Sequence, residues 1–398
     1  MNLRIALVAA EPSGDQLGAA LMQALKERLP DVTFEGVGGA AMLAEGLSGR
    51  IPMEKLSVMG LVEVLVHLPE LLRERRHLAG YWVDRPPDLF IGVDAPDFNL
   101  GLARRLREAG IPTVQYVAPT VWAWREGRTR TLKRAVDLVL SIYPFEKDFL
   151  REHGVNSAYV GHPLADSMPL ETDREAARAA LGLKDAQEVV ALLPGSRRSE
   201  VNTLARPFIE TARWLAERRP GMGFVTPAAT PFLRQAMEVE LARLAPELDI
   251  LVLDRSAELA LAAADVVLTA SGTATLQALL SKRPMVVGYR MHALSYFIAR
   301  AFRLVKTPYV AMANIMANEA LAPEYLQNAC QPANLGPALE AFLDDPQRMA
   351  EVRERYAAIH AGLRCDAADS AARAVVDLVA RRNGGPERPE DGDRLNTR

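Results

Sequence analysis

The sequence contains almost no cysteine, since its 398 residues include only Cys330 and Cys365. Two cysteines cannot build a disulfide framework, so we expect the chain to occupy a reducing compartment, the cytoplasm by default. A membrane span, which needs about 20 apolar residues, is also missing, because residues 56–72, the most apolar candidate, are interrupted by charges and a proline. The first residues run directly into a strand-like pattern, which disfavours a signal peptide.

An excess of charge of either sign is lacking too. The chain carries 47 basic and 50 acidic residues, for a formal net charge of −3. Proteins that bind nucleic acid through electrostatics usually have a strong basic excess, so we expect no nucleic-acid partner. A composition of 49% hydrophobic and 24% charged residues excludes wholesale disorder. The length favours two domains, at roughly 100–200 residues per domain.

What the sequence does contain is a regular alternation of short apolar segments and helical patterns. Apolar segments without polar alternation are typical of parallel strands that helices cover on both faces. The pattern therefore predicts an α/β protein with two Rossmann-like domains, each a parallel sheet with helices on both faces. The predicted strands are residues 4–9, 32–37, 89–93, 113–117, 137–141 and 158–160, and then 189–193, 223–226, 250–253, 265–269 and 285–289.

The domain boundary is predicted near residue 165, where a turn and a polar stretch precede a second series of strands. Residues 1–165 would form the N-terminal domain and residues 166–345 the C-terminal domain. A long Ala- and Arg-rich helical stretch, 346–381, is expected to join the first domain. Residues 383–398 are rich in Gly, Pro and charge, which predicts a disordered tail.

Ligands of open α/β sheets bind beyond the carboxyl ends of the strands, so the loops at those ends are the candidate sites. The first such loop contains Ser13, Gly14 and Asp15. Free backbone N–H groups at Ser13 and Gly14 would suit a phosphate or sugar oxygen, although a simple helix cap explains the loop equally well. The G-x-G-x-x-G spacing is absent, which disfavours a dinucleotide fingerprint.

Two carboxylates, Asp94 and Asp97, follow the apolar strand 89–93. A carboxylate at a strand end is costly unless it is solvated, paired or used. Asp94 is the better candidate for a general base and Asp97 for a helix cap. No nearby His or third acid completes a metal site, so we predict none.

The most basic stretch, residues 121–134, contains Trp122, Trp124, Arg125 and Arg128. The arginines could grip phosphates and the tryptophans could line an apolar or sugar surface. A solvated charged face with two core tryptophans is the equally weighted alternative.

Two loops of the second half contain Ser196 and Arg197, and Ser271, Gly272 and Thr273. Both lie between a strand and a helix, so both would direct a positive helix end and free N–H groups into one cleft. Together with the Arg197 cation, this arrangement favours a nucleotide diphosphate over a set of simple caps.

These loops belong to longer strings through which the sequence resembles the lipid-A-disaccharide synthase family. The resemblance keeps the order and spacing of the family from residue 4 to about residue 376. The strings are EPSGD (11–15), MGLVEVL (59–65), GVDAPDFN (92–99), PTVWAWR (119–125), PFEKDF (144–149), GHPLAD (161–166), LLPGSRRSEV (192–201), ASGTATLQ (270–277) and PMVVGYR (284–290).

The resemblance implies an inverting hexosyltransferase of lipid A biosynthesis that uses no metal or other cofactor. Its two Rossmann-like domains would face each other, in the GT-B arrangement. Such an enzyme joins UDP-2,3-diacylglucosamine to lipid X, a diacylglucosamine 1-phosphate, and releases UDP. It would act in the cytoplasm, peripherally bound to the inner membrane. The acyl-chain lengths and the oligomeric state, a homodimer included, stay open.

The resemblance also assigns roles to residues. Asp94 would be the general base, and Arg197 would stabilise the departing UDP with Ser196 and Gly272. Asp15 and Ser13 would border the same cleft. Uracil and ribose contacts would come from the segment that contains Asn314, Glu319 and Gln327. The family usually has Glu where this chain has Gln277, so we expect weaker donor binding.

Lipid substrates imply an apolar surface with cations around it. Residues 59–66, with Leu68, Leu71 and Leu72, precede Arg73, Arg75 and Arg76. We expect this region, together with Trp122 and Trp124, to dock on the membrane, although residues 59–66 could equally be core. Two other functions are alternatives: another UDP-sugar enzyme, such as an epimerase or a soluble-acceptor transferase, and a nucleotide-binding protein without catalysis.

Overall fold

The computed structural model describes residues 3–56, 61–122, 127–183, 188–291 and 307–382, with the backbone alone at 61–66. The chain divides into two compact units. The first unit uses the chain up to Asp166 and again from Arg364 onward, and the second unit is Ser167–Leu363. In both units every described strand pair is parallel, so the predicted α/β class with two parallel sheets is confirmed.

The first unit is built on a seven-stranded sheet with the order β3-β2-β1-β4-β5-β6-β7. Its strands are β1 (Arg4–Ala9), β2 (Thr33–Val37), β3 (Leu47–Gly49), β4 (Leu89–Val93), β5 (Thr113–Tyr116), β6 (Leu138–Ser141) and β7 (Ser157–Tyr159). Its helices are α1 (Pro12–Arg28), α2 (Ala40–Ala44), α3 (Leu61–Asp84), α4 (Pro96–Glu108), α5 (Arg128–Ala135), α6 (Pro144–Glu152) and α7 (Pro163–Ser167).

Helices cover both faces of this sheet, and β1 shows why its sequence has no polar alternation. Ile5 and Leu7 belong to the core cluster beneath α1, whereas Ala6 and Val8 belong to the cluster on the opposite face. Since successive side chains of a strand point to opposite faces, a strand that is buried on both sides must be apolar throughout.

The second unit contains a six-stranded sheet with the order β10-β9-β8-β11-β12-β13. Its strands are β8 (Val189–Leu193), β9 (Gly223–Ala228), β10 (Ile250–Asp254), β11 (Val266–Thr269), β12 (Met285–Tyr289) and β13 (Glu324–Leu326). Its helices are α8 (Arg174–Ala180), α9 (Arg198–Arg218), α10 (Pro231–Leu244), α11 (Ala257–Ala263), α12 (Thr273–Leu280), α13 (Met312–Ala317), α14 (Pro332–Leu343) and α15 (Pro346–Leu363).

The expectation of one long helix over 346–381 that joins the first domain is wrong. The chain leaves α15 at Leu363 and starts a second helix, α16 (Ala367–Arg382). Asp366, between them, has φ +52°, a left-handed conformation that ends the helical path. Only α16 belongs to the first unit, where it packs on α1, while α15 stays in the second.

The chain leaves the first unit after Asp166 and returns to it at Arg364, and a side chain joins these two places. The Asp166 carboxylate accepts hydrogen bonds from the backbone N–H groups of Asp366 (3.0 Å) and Ala367 (2.6 Å). These bonds hold the end of the first unit's N-terminal segment against the start of its C-terminal segment. Across the part of the chain that the structure describes, no helix has both the length and the apolarity that crossing a membrane requires.

Candidate active site

A cavity of about 650 Å³ opens in the second unit at the carboxyl ends of its strands. Its walls come from the ends of β8, β9, β10, β11 and β12 and from the loops that follow them. The structure brings most of the predicted donor-binding residues together here, namely Ser196, Arg197, Ser271, Gly272, Thr273 and Gln277.

The centre of this cavity lies where the strand order reverses. The chain leaves β8 toward its neighbour β9, but leaves β11 toward β12 on the other side. Adjacent loops that diverge in this way open a crevice, which is where open α/β sheets bind ligands. The helices α9 and α12 both begin at this crevice, at Arg198 and Thr273. Their positive ends favour an anion there.

The two helix starts are not equivalent. At α9, the Glu200 carboxylate accepts hydrogen bonds from the backbone N–H groups of Ser196 (3.0 Å) and Arg197 (3.3 Å), so these donors are already used. The Arg197 guanidinium is exposed, and its nearest acidic contact is Glu200 at 3.8 Å. The N-cap of α12 is Gly272, which has φ +105° and no side-chain cap. The anion donors of this crevice are therefore the Arg197 side chain and the α12 backbone.

Asp94 lies at the end of β4 in the first unit, and its backbone is held from three sides. Its N–H donates to the Tyr116 carbonyl (2.8 Å), and its carbonyl accepts from the side-chain amides of Asn99 and Gln115 (2.9 Å each). Its φ of +51° turns the chain sharply. Burial raises the pKa of the Asp94 carboxyl, and among the described residues no cation pairs with it. A carboxyl with a raised pKa on a firmly held backbone suits proton abstraction.

Asp97 is not the cap of the following helix, so that expectation is wrong. Pro96 takes the first position of α4. The N-cap is Ala95, and the helix start has no side-chain cap hydrogen bond. Proline is favoured at the first helical position because it has no N–H to lose and its φ is already helical. The exposed Asp97 carboxylate instead pairs with Arg128. Arg128 is thus occupied by an acid rather than open to a phosphate.

The residues predicted in the first loop lie in the first turn of α1, where Ser13 is exposed while Gly14 and Asp15 are buried. The Asp15 carboxylate accepts hydrogen bonds from the N–H groups of Gly39 (2.7 Å), Ala41 (3.0 Å) and Met42 (3.1 Å). Asp15 therefore secures the start of α2. Its predicted place beside a substrate stays a prediction, and Ser13 is the accessible residue of the three.

Trp122 is half-buried in the first unit, and it contacts the start of α6. Its indole N–H donates to the Glu146 carboxyl at 3.0 Å, and its ring meets the edge of Phe145 with centroids 4.9 Å apart. Burial raises the pKa of Glu146 to about 8. Burial also lowers the pKa of His162 to about 4, so this imidazole is neutral at pH 7. Trp124 and Arg125 lie outside the described residues.

The residues expected to contact uracil and ribose do not line the cavity. Asn314 is fully buried and bonds to the backbone of Ala322 and the carboxylate of Glu324. Glu319 pairs with Arg355 at 3.0 Å. Gln327 accepts a hydrogen bond from the backbone of Met291. Their assignment to the nucleoside stays a prediction without support from the cavity.

Sequence reasoning missed two residues that the structure makes prominent. Arg255, after β10, adds a second arginine to the cavity wall, and Glu146 is a carboxyl only 2% exposed. A signal for Arg255 was its position at the end of an apolar strand. Over the described ranges, no group of three or more His, Cys, Asp or Glu is placed to hold a metal ion.

Comparisons with known proteins agree on the family. Residues 5–376 match the family model described as Lipid-A-disaccharide synthetase. A lipid-A-disaccharide synthase of Pseudomonas aeruginosa strain UCBPP-PA14 is 52% identical over 381 residues, which is 96% of this chain and 99% of that protein. One from Alkalilimnicola ehrlichii is 51% identical over 376 residues, which is 94% of this chain and 98% of that protein.

Solved structures share the fold at low identity. UDP-GlcNAc 2-epimerase from Neisseria meningitidis, bound to UDP-GlcNAc, aligns with a TM-score of 0.60 at 12% identity over 96% of this chain and 100% of that one. The glycotransferase of kitacinnamycin aligns with a TM-score of 0.60 at 18% identity over 94% and 98%. The fold is therefore that of GT-B glycosyltransferases and related epimerases.

Proposed function

The chain belongs to the lipid-A-disaccharide synthase family of glycosyltransferases, and on that premise we propose that it condenses UDP-2,3-diacylglucosamine with 2,3-diacylglucosamine 1-phosphate. The products are the β-1′,6-linked disaccharide 1-phosphate and UDP. The observation that carries this assignment is the cavity at the strand reversal of the second unit, with its helix ends and its arginine, which suits a nucleotide diphosphate.

The donor's diphosphate lies against the N-terminus of α12 and the Arg197 guanidinium. As the bond between the anomeric carbon and the β-phosphate oxygen breaks, negative charge develops on UDP. Arg197 and the α12 backbone N–H groups stabilise that charge. Ser196, Ser271 and Thr273 border the same anion, and Gln277 accepts from the ribose hydroxyls.

Asp94 removes the proton from the acceptor. The oxygen of the acceptor's 6-hydroxyl attacks the anomeric carbon on the face opposite UDP, its proton passes to the Asp94 carboxylate, and UDP leaves. This displacement inverts the anomeric configuration. The rigid backbone of Asp94 and the raised pKa of its carboxyl support its role as the base. Ser13 and Trp122 border the acceptor sugar.

The acceptor and donor carry acyl chains, so the enzyme works at the cytoplasmic face of the inner membrane, as a peripheral protein. The exposed middle of α3, residues 67–76, is its docking surface. Leu68 is 41% exposed, and Arg73 and Arg76 of the same segment are exposed as well, which suits an anionic bilayer. Leu71 instead packs against the core, and the side chains of 59–66 lie outside the described residues.

Product analysis tests the function directly. The purified full chain is incubated with UDP-2,3-diacylglucosamine and 2,3-diacylglucosamine 1-phosphate, and mass spectrometry follows the disaccharide 1-phosphate and UDP. We expect both products in equal amounts without added metal. UDP release without a disaccharide, or conversion of UDP-GlcNAc to its 2-epimer, would instead favour the epimerase alternative. Sedimentation of the same preparation determines the oligomeric state, which the sequence leaves open.

A further inference from the structure

Arg255 is a second arginine in the donor cavity. Binding of the diphosphate by Arg197 and α12 gives Arg255 no role. It comes directly after β10 and lines the cavity with Pro227, Ala228 and Ala257. Its φ of +52° is uncommon for a residue with a side chain, and its N–H is anchored on the Ala228 carbonyl at 2.9 Å. Within the described part of the chain, no acidic side chain pairs with its guanidinium. The backbone thus fixes an exposed, unneutralised cation at this wall.

The sheet order places Arg255 away from the anion site. The diphosphate site lies at β8 and β11, where α9 and α12 begin, and β10 is two strands from β8. Neighbouring strands are about 4.8 Å apart, so the end of β10 lies about 10 Å from that of β8. Arg197, which follows β8 itself, already serves the anion. Arg255 is therefore placed to contact one of the two groups that the diphosphate carries, the nucleoside or the sugar.

Among the walls formed by the described residues, only one arm of the cavity is long enough for a nucleoside. On the β12 side the cavity extends by one strand and ends at Tyr289, whereas on the other side it extends across both β9 and β10. The base extends beyond the ribose that Gln277 holds at the crevice, so the base needs the longer arm. The small apolar side chains of Pro227, Ala228 and Ala257 line that arm, which suits the face of a planar ring.

We propose that Arg255 identifies the donor's base, by donating a hydrogen bond from its guanidinium to the 4-carbonyl oxygen of uracil. The proposal rests on the proposed function, in which the donor is a UDP-sugar. A guanidinium only donates hydrogen bonds. Uracil has a carbonyl oxygen where cytosine has an amino group, which also donates, so the contact formed with UDP is lost with CDP.

The test is isothermal titration of UDP and CDP into the full chain and its variants. Arg255→Met keeps the length of the side chain and removes its donors, whereas Arg255→Lys keeps a cation and a donor. We expect wild type to prefer UDP, and Arg255→Met to raise the Kd of UDP about 10-fold while the Kd of CDP changes less than about 3-fold. Arg255→Lys should keep part of the preference.

Two matched arginines serve as controls. Arg243→Ala removes an exposed arginine of α10 that pairs with Glu240 outside the cavity, and should change neither constant. Arg197→Ala should weaken UDP and CDP by the same factor, because both carry the diphosphate. Equal weakening of UDP and CDP by Arg255→Met, or no change in either, overturns the role of Arg255 in base recognition. If wild type binds neither nucleotide, the proposed function itself fails.

Discussion

The indole N–H of Trp122 donates to a carboxyl oxygen of Glu146 at 3.0 Å, although 24 residues separate the two in the chain. Glu146 is 2% exposed, so this bond forms away from water, where an unpaired carboxylate would be costly. It fastens the loop after β5 to the start of α6. The bond couples a buried ionisable group to a residue that we assign to the acceptor.

The first prediction concerns stability and pH. The pKa of Glu146 is about 8 in the fold and about 4.3 in an unfolded chain. Because the folded pKa is the higher one, the contribution of Glu146 to stability is complete below about pH 4 and is lost as the pH rises to 8. Glu146→Gln should remove this loss and make the protein more stable than wild type at pH 8, by about 5 kcal/mol.

Denaturant unfolding at several values between pH 5 and pH 8.5 measures the effect. The advantage of Glu146→Gln over wild type should grow with pH. Glu152→Gln changes an exposed carboxylate of the same helix and should follow wild type throughout. Parallel curves for wild type and Glu146→Gln would show that Glu146 is already ionised at low pH in the fold.

The second prediction separates catalysis from binding at Asp94. Asp94→Asn should lower kcat at least about 100-fold, because it removes the base, and should leave the Kd of UDP within about 2-fold. Since burial raises the pKa of Asp94, activity of the wild type should also fall on the acidic side at a higher pH than an exposed aspartate would allow. Asp84→Asn, at the exposed end of α3, is the control. Full turnover by Asp94→Asn would contradict the assignment.

The third prediction concerns Gln277, which lines the donor cavity. A carboxylate accepts hydrogen bonds more strongly than an amide oxygen, so Gln277→Glu should tighten UDP binding about 3- to 10-fold. Gln277→Leu, of similar size and without an acceptor, should weaken it. Titration of UDP measures both, and thermal unfolding confirms that both variants are folded. A Kd that does not respond to either change would place the ribose away from this side chain.

The fourth prediction concerns the membrane. A Leu68→Ser, Leu72→Ser double variant should bind vesicles of phosphatidylethanolamine and phosphatidylglycerol about 10-fold less tightly, because it removes apolar area that would enter the bilayer. Leu170→Ser removes a leucine of the second unit that is 45% exposed, and should bind like wild type. Flotation gives the bound fractions. Equal flotation of the double variant and wild type would rule out the middle of α3 as the docking surface.

Some parts of the fold could be predicted from sequence because one local pattern determines them. The apolar runs of β1 and β8 identify buried parallel strands, and the chemistry of Asp94 follows from its place at the end of β4. The strands β3 and β13 could not be predicted, since their three residues each do not form an apolar run, unlike residues 158–160 at the equally short β7.

Other features depend on distant partners. The carboxyl of Glu146 is buried by its bond to Trp122, and nothing near Glu146 in the sequence indicates this. Arg255 becomes a cavity residue only through the order of the strands, which places β10 beside β9. The break between α15 and α16 likewise depends on Asp166, which is 200 residues from Asp366 and holds the backbone there.

The return of α16 to the first unit has a consequence for synthesis. The second unit is encoded without interruption by Ser167–Leu363, so it can fold as soon as that stretch has left the ribosome. The first unit waits longer, because α1 packs against α16, and α16 is translated after the whole second unit. The apolar surface of α1 therefore stays uncovered through most of translation. A nascent chain released before α16 should need a chaperone for its first half, although its second half is already folded.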